Sequence, residues 1–449
     1  MKREQKTILV ISILASFVAF LDGSVVNVAL PAISRALGGG FTTQQWVVDA
    51  YLITLGALIL LAGSLSDVFG RKQILKVGLI GFGAASLLCA AAPTSLFLIV
   101  GRGLQGAAGA LLVPSSLALI ISSFSSAEQG AAIGKWTAWT GISFMIGPLL
   151  GGVLVDSVSW RFIFAINVIP IAVCLWLLSH VKQDEHTEHG RLDVVGAIFC
   201  SSGLGAIAFG FIEQPTHSWQ SPLILTALLG GALLLTMFGW YESRTKAPML
   251  PLSLFRVGNF RVGNVATAAI YGAMAVAGFL IVIFLQQIGG YSAFRAGLSL
   301  LPISVIMFLL SSRFGALASY HGPRLFMTVG PLLAGVGFLS MLSLGAKVHY
   351  LTELFPGVCV FGVGLSMTVA PLTAAVLGDV DPQRAGVASA VNNAVSRIAG
   401  LITIAMAGLF VGDRLTVVSF HRGLVVFSLL VMAGGLISAV GIRNHAPPH

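Results

Sequence analysis

Leu21-Asp22-Gly23-Ser24-Val25-Val26-Asn27-Val28-Ala29-Leu30-Pro31 places a carboxylate inside an apolar run that begins near Ile8. An isolated charge at bilayer depth costs roughly 2.5–3.5 kcal/mol on insertion scales, so Asp22 is a functional candidate from the outset. Composition says that the surroundings are a bilayer. Hydrophobic residues make up 56% of the 449 and charged residues only 9%, against about 25% charged in a soluble domain. The mean hydropathy is +0.95. The apolar runs are continuous rather than alternating, which argues against an outer-membrane barrel. The organising unit is the membrane-spanning helix of about 20 apolar residues.

Fourteen such segments can be drawn, from Ile8–Leu30 through Phe162–His180 to Leu424–Ile442. With the first residues inside, most of the 25 Lys and Arg residues collect on one side, among them Lys2, Arg3, Lys6, Arg71, Lys72 and Lys76. External loops are left with Arg35, Arg161, Arg295, Lys347, Arg414 and Arg422. This asymmetry predicts cytoplasmic termini and accounts for the net charge of +9 without a nucleic-acid partner. The basic start, Met1 to Lys6, looks like the head of a signal peptide, but the apolar stretch behind it is too long and lacks a cleavage site. An uncleaved first helix is expected. Cys89, Cys174, Cys200 and Cys359 all fall in apolar runs and read as buried thiols rather than a disulfide framework.

Two links stand out. Val181 to Arg191 holds His186 and His189 beside Glu185 and Glu188; it reads as a solvated linker in preference to a metal site. Glu242 to Arg261 holds Leu252-Ser253-Leu254-Phe255-Arg256, which reads as a short interfacial segment. The chain also repeats itself. Gly63-Ser64-Leu65-Ser66-Asp67-Val68-Phe69-Gly70-Arg71-Lys72 aligns without gaps on Gly315-Ala316-Leu317-Ala318-Ser319-Tyr320-His321-Gly322-Pro323-Arg324. Both follow the second helix of a six-helix block, an arrangement of two parallel halves found in transporters. The expected division is a six-helix bundle over 1–185, an inserted helix pair over 186–245 and a second six-helix bundle over 246–449.

Four motifs have family character. They are the Asp22 stretch itself; Gly63-x-Leu65-Ser66-Asp67-x-x-Gly70-Arg71-Lys72; Leu98-x-x-x-Arg102-x-x-Gln105-Gly106 in the fourth helix; and Gly147-Pro148-x-x-Gly151-Gly152 in the fifth, followed by Trp160-Arg161. A fifth element, Asn167-Val168-Ile169-Pro170, carries the family's sixth-helix proline one residue late. On the four motifs the chain resembles the major facilitator superfamily, and within it the fourteen-helix drug:proton antiporters, the late proline being a departure from the family pattern. Val68 stands where a basic residue is usual, and Ser143 where the helix-5 motif usually opens with glycine. The resemblance implies an all-α integral membrane protein and a small-molecule carrier in the bacterial cytoplasmic membrane. It also implies a monomer that needs no cofactor beyond the proton gradient; whether a partner extends the path across an outer envelope stays open. Gly63, Leu65, Asp67, Gly70, Arg71 and Lys72 would brace the cytoplasmic gate, with Asp67 near the helix that starts at Arg384. Gly147, Pro148, Gly151 and Gly152 would form the exporter motif.

Depth links the buried charges. At about 1.5 Å per residue, Asp22 lies about 21 Å from the cytoplasmic start of its helix and Arg397 about 20 Å. Arg102 lies about 10 Å and Asp49 about 9 Å below the outer face. All four share a level. Asp22 and Arg102 are therefore expected to be coupled as the proton-handling pair, with Asp49 a further acid, and Asp49 and Arg397 to form an outer latch. Low dielectric favours the neutral form of a carboxylate and a nearby guanidinium the charged one, which is the balance proton coupling requires. Asn27, Gln105, Tyr271, Gln286, Asn392 and Asn393 are candidate cavity walls. The competing readings are an uptake carrier or metabolite or lipid exporter on the same fold, a non-transporting sensor or scramblase, and an ATP-driven pump. Against the last, Gly130-Ala131-Ala132-Ile133-Gly134-Lys135-Trp136 lacks P-loop spacing and a Ser or Thr after the lysine.

Overall fold

In the computed structural model of the chain, the described residues are 3–181, 192–381, 384–412 and 414–444, with all their side chains except those of Arg3, Asp67, Ser126 and Ala127. His186, His189 and the rest of that link therefore lie outside the described residues, as does the side chain of Asp67. The described residues hold helices and no strand. They are α1 (Arg3–Leu37), α2 (Gly40–Phe69), α3 (Arg71–Ala91), α4 (Ser95–Ser123), α5 (Ser126–Ser157), α6 (Phe162–Ala165), α7 (Val168–Ser179), α8 (Val194–His217) and α9 (Pro222–Glu242). There follow α10 (Gly258–Gln287), α11 (Ala293–His321), α12 (Pro323–Ser340), α13 (Phe355–Gly378), α14 (Ala385–Val411) and α15 (Val417–Gly441). Among the described residues, 14 helical stretches are long and apolar enough to cross a membrane, α6 and α7 counting as one.

The helices outrun the apolar segments that announce them. The last begins at Val417 rather than Leu424, because Thr416 and Ser419 form a reciprocal capping box: Ser419 N donates to Thr416 Oγ1 at 3.1 Å and Thr416 N to Ser419 Oγ at 2.9 Å. Arg422, expected in a loop, thus lies inside α15, as Arg35 lies in α1 and Arg295 in α11. The sixth span breaks at Ile166-Asn167. Pro170 has no N–H to give the Ile166 carbonyl, which accepts instead from Ile169 N in a tighter turn at 3.3 Å. The expected interfacial segment is a 3-10 turn, Leu252–Arg256, anchored by buried Leu254.

The helices sort into two compact units, Met1–Ala206 with Leu229–Met249, and Ile207–Leu228 with Leu250–His449. The α8–α9 pair divides between them. In the first unit α4 packs against α2 and α3, and α1 against α5, α4 and α7. In the second, α13 packs against α11 and α12, and α10 against α14, α15 and α13. The packing order of one unit is thus the packing order of the other. The repeat is visible in the backbone too. Gly70 and Gly322 hold the α2–α3 and α11–α12 junctions at φ 89° and 85°, ψ 134° and 153°. A side chain rarely adopts that conformation, and here it turns the chain within one residue. The basic residue two places on also keeps its role. Lys72 Nζ donates to the Val181 carbonyl just past α7, and Arg324 Nε to the Ala439 carbonyl near the end of α15 at 2.7 Å.

Candidate functional site

The site grows from the Asp22 stretch. Asp22 is fully buried on α1. Its Oδ2 accepts from Arg102 Nη1 of α4 at 2.5 Å. Its Oδ1 accepts from Gln105 Nε2, one turn along α4, at 2.8 Å and from Asn167 Nδ2 at the α6–α7 break at 2.9 Å. Arg102 is 1% exposed. Its Nε donates to the Val47 carbonyl of α2 at 3.0 Å and its Nη1 also to Gln105 Oε1 at 2.6 Å. The guanidinium lies 4.3 Å from the Tyr51 ring centroid and 5.7 Å from that of Phe164, both within cation–π range. Gln105 Nε2 further donates to Ser86 Oγ of α3 at 2.9 Å, and Cys89 Sγ donates to Gln105 Oε1 at 3.7 Å. The spacing on α4 explains the motif: Arg102 and Gln105, three residues apart, share one helix face.

Helix packing seals this network. The helix-5 motif lies on the same Asp22 stretch. A side chain at Gly147 would collide with Ser24 Oγ, and one at Gly151 would come within 2.6 Å of Val25 Cγ2 and 2.7 Å of Val28 Cγ2. Ser24 Oγ donates across that gap to the Ser143 carbonyl at 3.3 Å. Gly152 is buried and Pro148 half-buried beside them. At Gly106 a side chain would run into the Tyr51 carbonyl and Thr54 Oγ1 of α2, so the small residue lets α4 bring Arg102 up to Val47. Trp160 packs edge-on against Phe164 at 6.3 Å, and Arg161 acts away from the network. Arg161 Nη1 donates to the Ala90 and Ala92 carbonyls at 2.9 and 2.7 Å and so caps α3, while its guanidinium stacks on Trp160 at 4.5 Å.

The other expected site residues fall as follows. Gln105, expected at a cavity wall, is fully buried inside the charge network, because both ends of its amide are already bonded. Asn27 is half-buried on α1. Asp49 is fully buried on α2, and neither carboxylate oxygen has a hydrogen-bond partner among the described residues. It stands two residues from both Val47 and Tyr51, on the opposite face of α2 from Arg102. In the second unit, Tyr271, Asn393 and Arg397 are half-buried and Gln286 is 9% exposed. Asn392 Nδ2 donates to Asn264 Oδ1 at 3.1 Å and Thr267 Oγ1 at 2.9 Å, joining α14 to α10. That cluster is neutral, whereas the buried network of the first unit, between α1, α4 and the α6–α7 break, is charged. The motif expected between the second and third helices is mostly helix: Gly63 and Leu65, half-buried, lie in the last two turns of α2, which runs on to Phe69, Gly70 makes the turn, and Arg71 and Lys72 open α3. Among the described residues no group of three or more His, Cys, Asp or Glu is placed to hold a metal. Asn167, Ser86 and Tyr51 carry no charge and went unmarked as site residues in the sequence; only the Asn167 motif pointed at one of them.

A charge cluster closed off inside membrane helices, on a chain that repeats a six-helix packing order, is the arrangement of a transporter built from two parallel halves. Residues 12–404 match the Major Facilitator Superfamily, and the chain belongs to that family. It is a multi-pass membrane transporter. Its relatives include puromycin resistance protein pur8 of Streptomyces alboniger, 35% identical over 409 residues, which cover 89% of this chain and 80% of that protein. Multidrug resistance protein Stp of Mycobacterium tuberculosis H37Rv is 33% identical over 412 residues, 91% of this chain and 76% of Stp. Among solved structures, the crystal structure of a D-xylose-proton symporter has the same fold, with a TM-score of 0.70 at 14% identity over 98% of both chains.

Proposed function

We propose that the protein is a proton-driven exporter of amphipathic, drug-like organic molecules that works by alternating access. The observation that carries this reading is Asp22, a carboxylate with no solvent exposure whose three side-chain donors come from two other parts of the bundle. Out of water, a carboxylate is stable in its charged form only while its donors are in place. A shift of α4 or of the α6–α7 break relative to α1 would make the neutral form the more stable one. Proton uptake is then tied to helix movement, and Arg102 remains charged throughout. The resistance functions named for pur8 and Stp, and the helix-5 motif packed on Ser24 and Val25, support the export direction and the drug-like substrate.

Within this reading Asp49 is a second acid and pairs with Arg397 as an outer latch when the cavity faces the cytoplasm. The Gly63–Lys72 motif braces the cytoplasmic gate, and Asn27, Tyr271, Gln286, Asn392 and Asn393 face the substrate path. The bundles are 1–185 and 246–449, joined by an inserted pair. The transporter works as a monomer in the bacterial cytoplasmic membrane, with both termini inside, and takes its energy from the proton gradient without a cofactor.

The test is efflux of a puromycin-like or dye substrate from proteoliposomes with and without an imposed pH gradient, for the parent and for Asp22→Asn. Gradient-dependent flux that the substitution abolishes, at equal reconstituted protein, is the expected result. Undiminished gradient-driven flux in Asp22→Asn would remove Asp22 from the mechanism.

A further inference from the structure

The Asp22 cluster contains one idle atom. As a carboxylate, Asp22 receives hydrogen bonds from Arg102 Nη1, Gln105 Nε2 and Asn167 Nδ2, and gives none. Once protonated it must donate its O–H, and a ring of donors leaves that proton without an acceptor. Gln105 cannot serve, because its Oε1 already accepts from Arg102 and Cys89 and its Nε2 also holds Ser86. Asn167 can. It is fully buried, and its Oδ1 has no hydrogen-bond partner among the described residues. An orphaned buried acceptor costs about 1–3 kcal/mol, so its persistence calls for a reason. A half-turn of the side-chain amide puts Oδ1 where Nδ2 now stands, within reach of Asp22 Oδ1.

We propose that Asn167 reads the protonation state of Asp22: its amide donates to the carboxylate and, after flipping, accepts from the carboxylic acid. The inference rests on Asp22 being the proton carrier. It makes Asn167 a positioning residue and gives the break in the sixth span a use. The flip turns Nδ2 toward the place Oδ1 now occupies, so the charge state of α1 is passed to the α6–α7 junction, where the Ile166 carbonyl is already held in a tightened turn. The titratable groups facing the cluster are Arg102 of α4, Cys89 of α3 and Tyr51 of α2; Cys174 of α7 donates to the Ile11 carbonyl instead, and Asp49 is on the far face of α2.

Infrared difference spectra between high and low pH on the reconstituted protein test this. The protonated Asp22 carbonyl band is identified by its loss in Asp22→Asn. In Asn167→Leu it should move to higher wavenumber, because its O–H has lost the acceptor. In the unmutated protein with isotope-labelled asparagine, one amide carbonyl band should shift to lower wavenumber as Asp22 protonates, and that shift should vanish in Asp22→Asn. An Asp22 band that Asn167→Leu leaves in place, or asparagine bands indifferent to pH, overturns the proposal. Absence of any Asp22 band overturns instead the reading of Asp22 as proton carrier. The labelling arm needs no Asn167 variant to fold.

A second, independent observation concerns the outside of the bundle. On α15 the exposed positions Val418, Arg422, Val425, Leu429, Leu436 and Val440 form one helical stripe, while Phe420, Leu424, Phe427 and Val431 are buried. Apart from Arg422 the stripe is apolar, as a face in contact with acyl chains must be. Arg422 lies about 8 Å into the helix, at headgroup depth rather than beyond it. Beside it a groove of about 520 Å³ runs between α14 and α15, lined by Phe410, Val418, His421, Arg422, Val425 and Val426. His421 Nε2 is engaged by the Leu344 carbonyl at 2.8 Å, which leaves Arg422 as the groove's charge. We infer that this groove holds a phospholipid with a net negative headgroup, its phosphate on Arg422 with no headgroup cation beside it to repel the guanidinium, and an acyl chain along Val418 and Val425. Native mass spectrometry of the purified protein with equal dioleoyl phosphatidylglycerol and dioleoyl phosphatidylcholine should show preferential retention of the phosphatidylglycerol. Arg422→Gln should reduce that preference about fivefold, from roughly 1 kcal/mol per basic residue at a lipid surface. Equal retention by parent and Arg422→Gln, with thermal stability unchanged, would overturn the assignment.

Discussion

Replacing Asp22 by asparagine should be far more destabilising than replacing Asp22 and Arg102 together. In the parent, the carboxylate has no exposure and the guanidinium next to none, at a separation of 2.5 Å. Asp22→Asn keeps an oxygen that can still accept from Gln105 and Asn167. Its new N–H group, however, points at Arg102 Nη1, donor against donor, and the guanidinium keeps its charge without a counter-ion. Removing one partner of a buried pair costs about 3–5 kcal/mol, because the remaining charge stays out of water. Adding Arg102→Gln removes that charge and offers an amide oxygen to the asparagine's donor. A neutral pair of similar volume is often as stable as the ion pair it replaces, so the double variant should return to within about 1–2 kcal/mol of the parent. Reversible unfolding in mixed micelles of mild detergent and dodecyl sulfate measures the cycle. Two outcomes would refute the reasoning. One is a double variant as unstable as the two single losses added. The other is an Asp22→Asn loss under about 1 kcal/mol, the size expected of a solvated pair.

Three further outcomes follow from the packing. Gly147→Val should lower thermal stability by about 1–3 kcal/mol through overpacking, and Ser24→Gly in the same chain should restore part of it, since Ser24 Oγ is what the new side chain meets. Gly70→Ala and Gly322→Ala should each cost about 1–3 kcal/mol from left-handed strain. At Gly322 the new side chain also meets the Asn444 amide; unfolding curves of both variants measure the losses. Arg161→Ala removes two charge-assisted bonds to the end of α3, worth about 1.5–3 kcal/mol each. Hydrogen exchange near Ala90 should rise while exchange around Arg102 stays slow.

Much of the architecture was legible because a bilayer leaves a chain few choices. Continuous apolar runs of span length can only be helices there, since every backbone group must be satisfied within its own segment. Helix ends were less legible. The start of α15 depends on the Thr416–Ser419 capping box, a polar signal outside the apolar run that marks the span, and this is why Arg422 reads as a loop residue in the sequence. The internal repeat was readable from Gly70 and Gly322 because a positive φ restricts residue choice at two equivalent turns.

For the site, the sequence by itself determined that Asp22 and Arg102 are buried charges at one depth, because helical rise converts position into height. Only the tertiary structure decided azimuth: which face of each helix looks at which neighbour. That is why Gln105 lies inside the network rather than on a cavity wall, and why Asp49, on α2 like Tyr51, points away from it. It is also why a neutral asparagine 145 residues from Asp22 became its third donor. Charge announces itself in a hydropathy profile because its burial costs so much; an amide does not, and its role depends on the partners that folding brings within 3 Å.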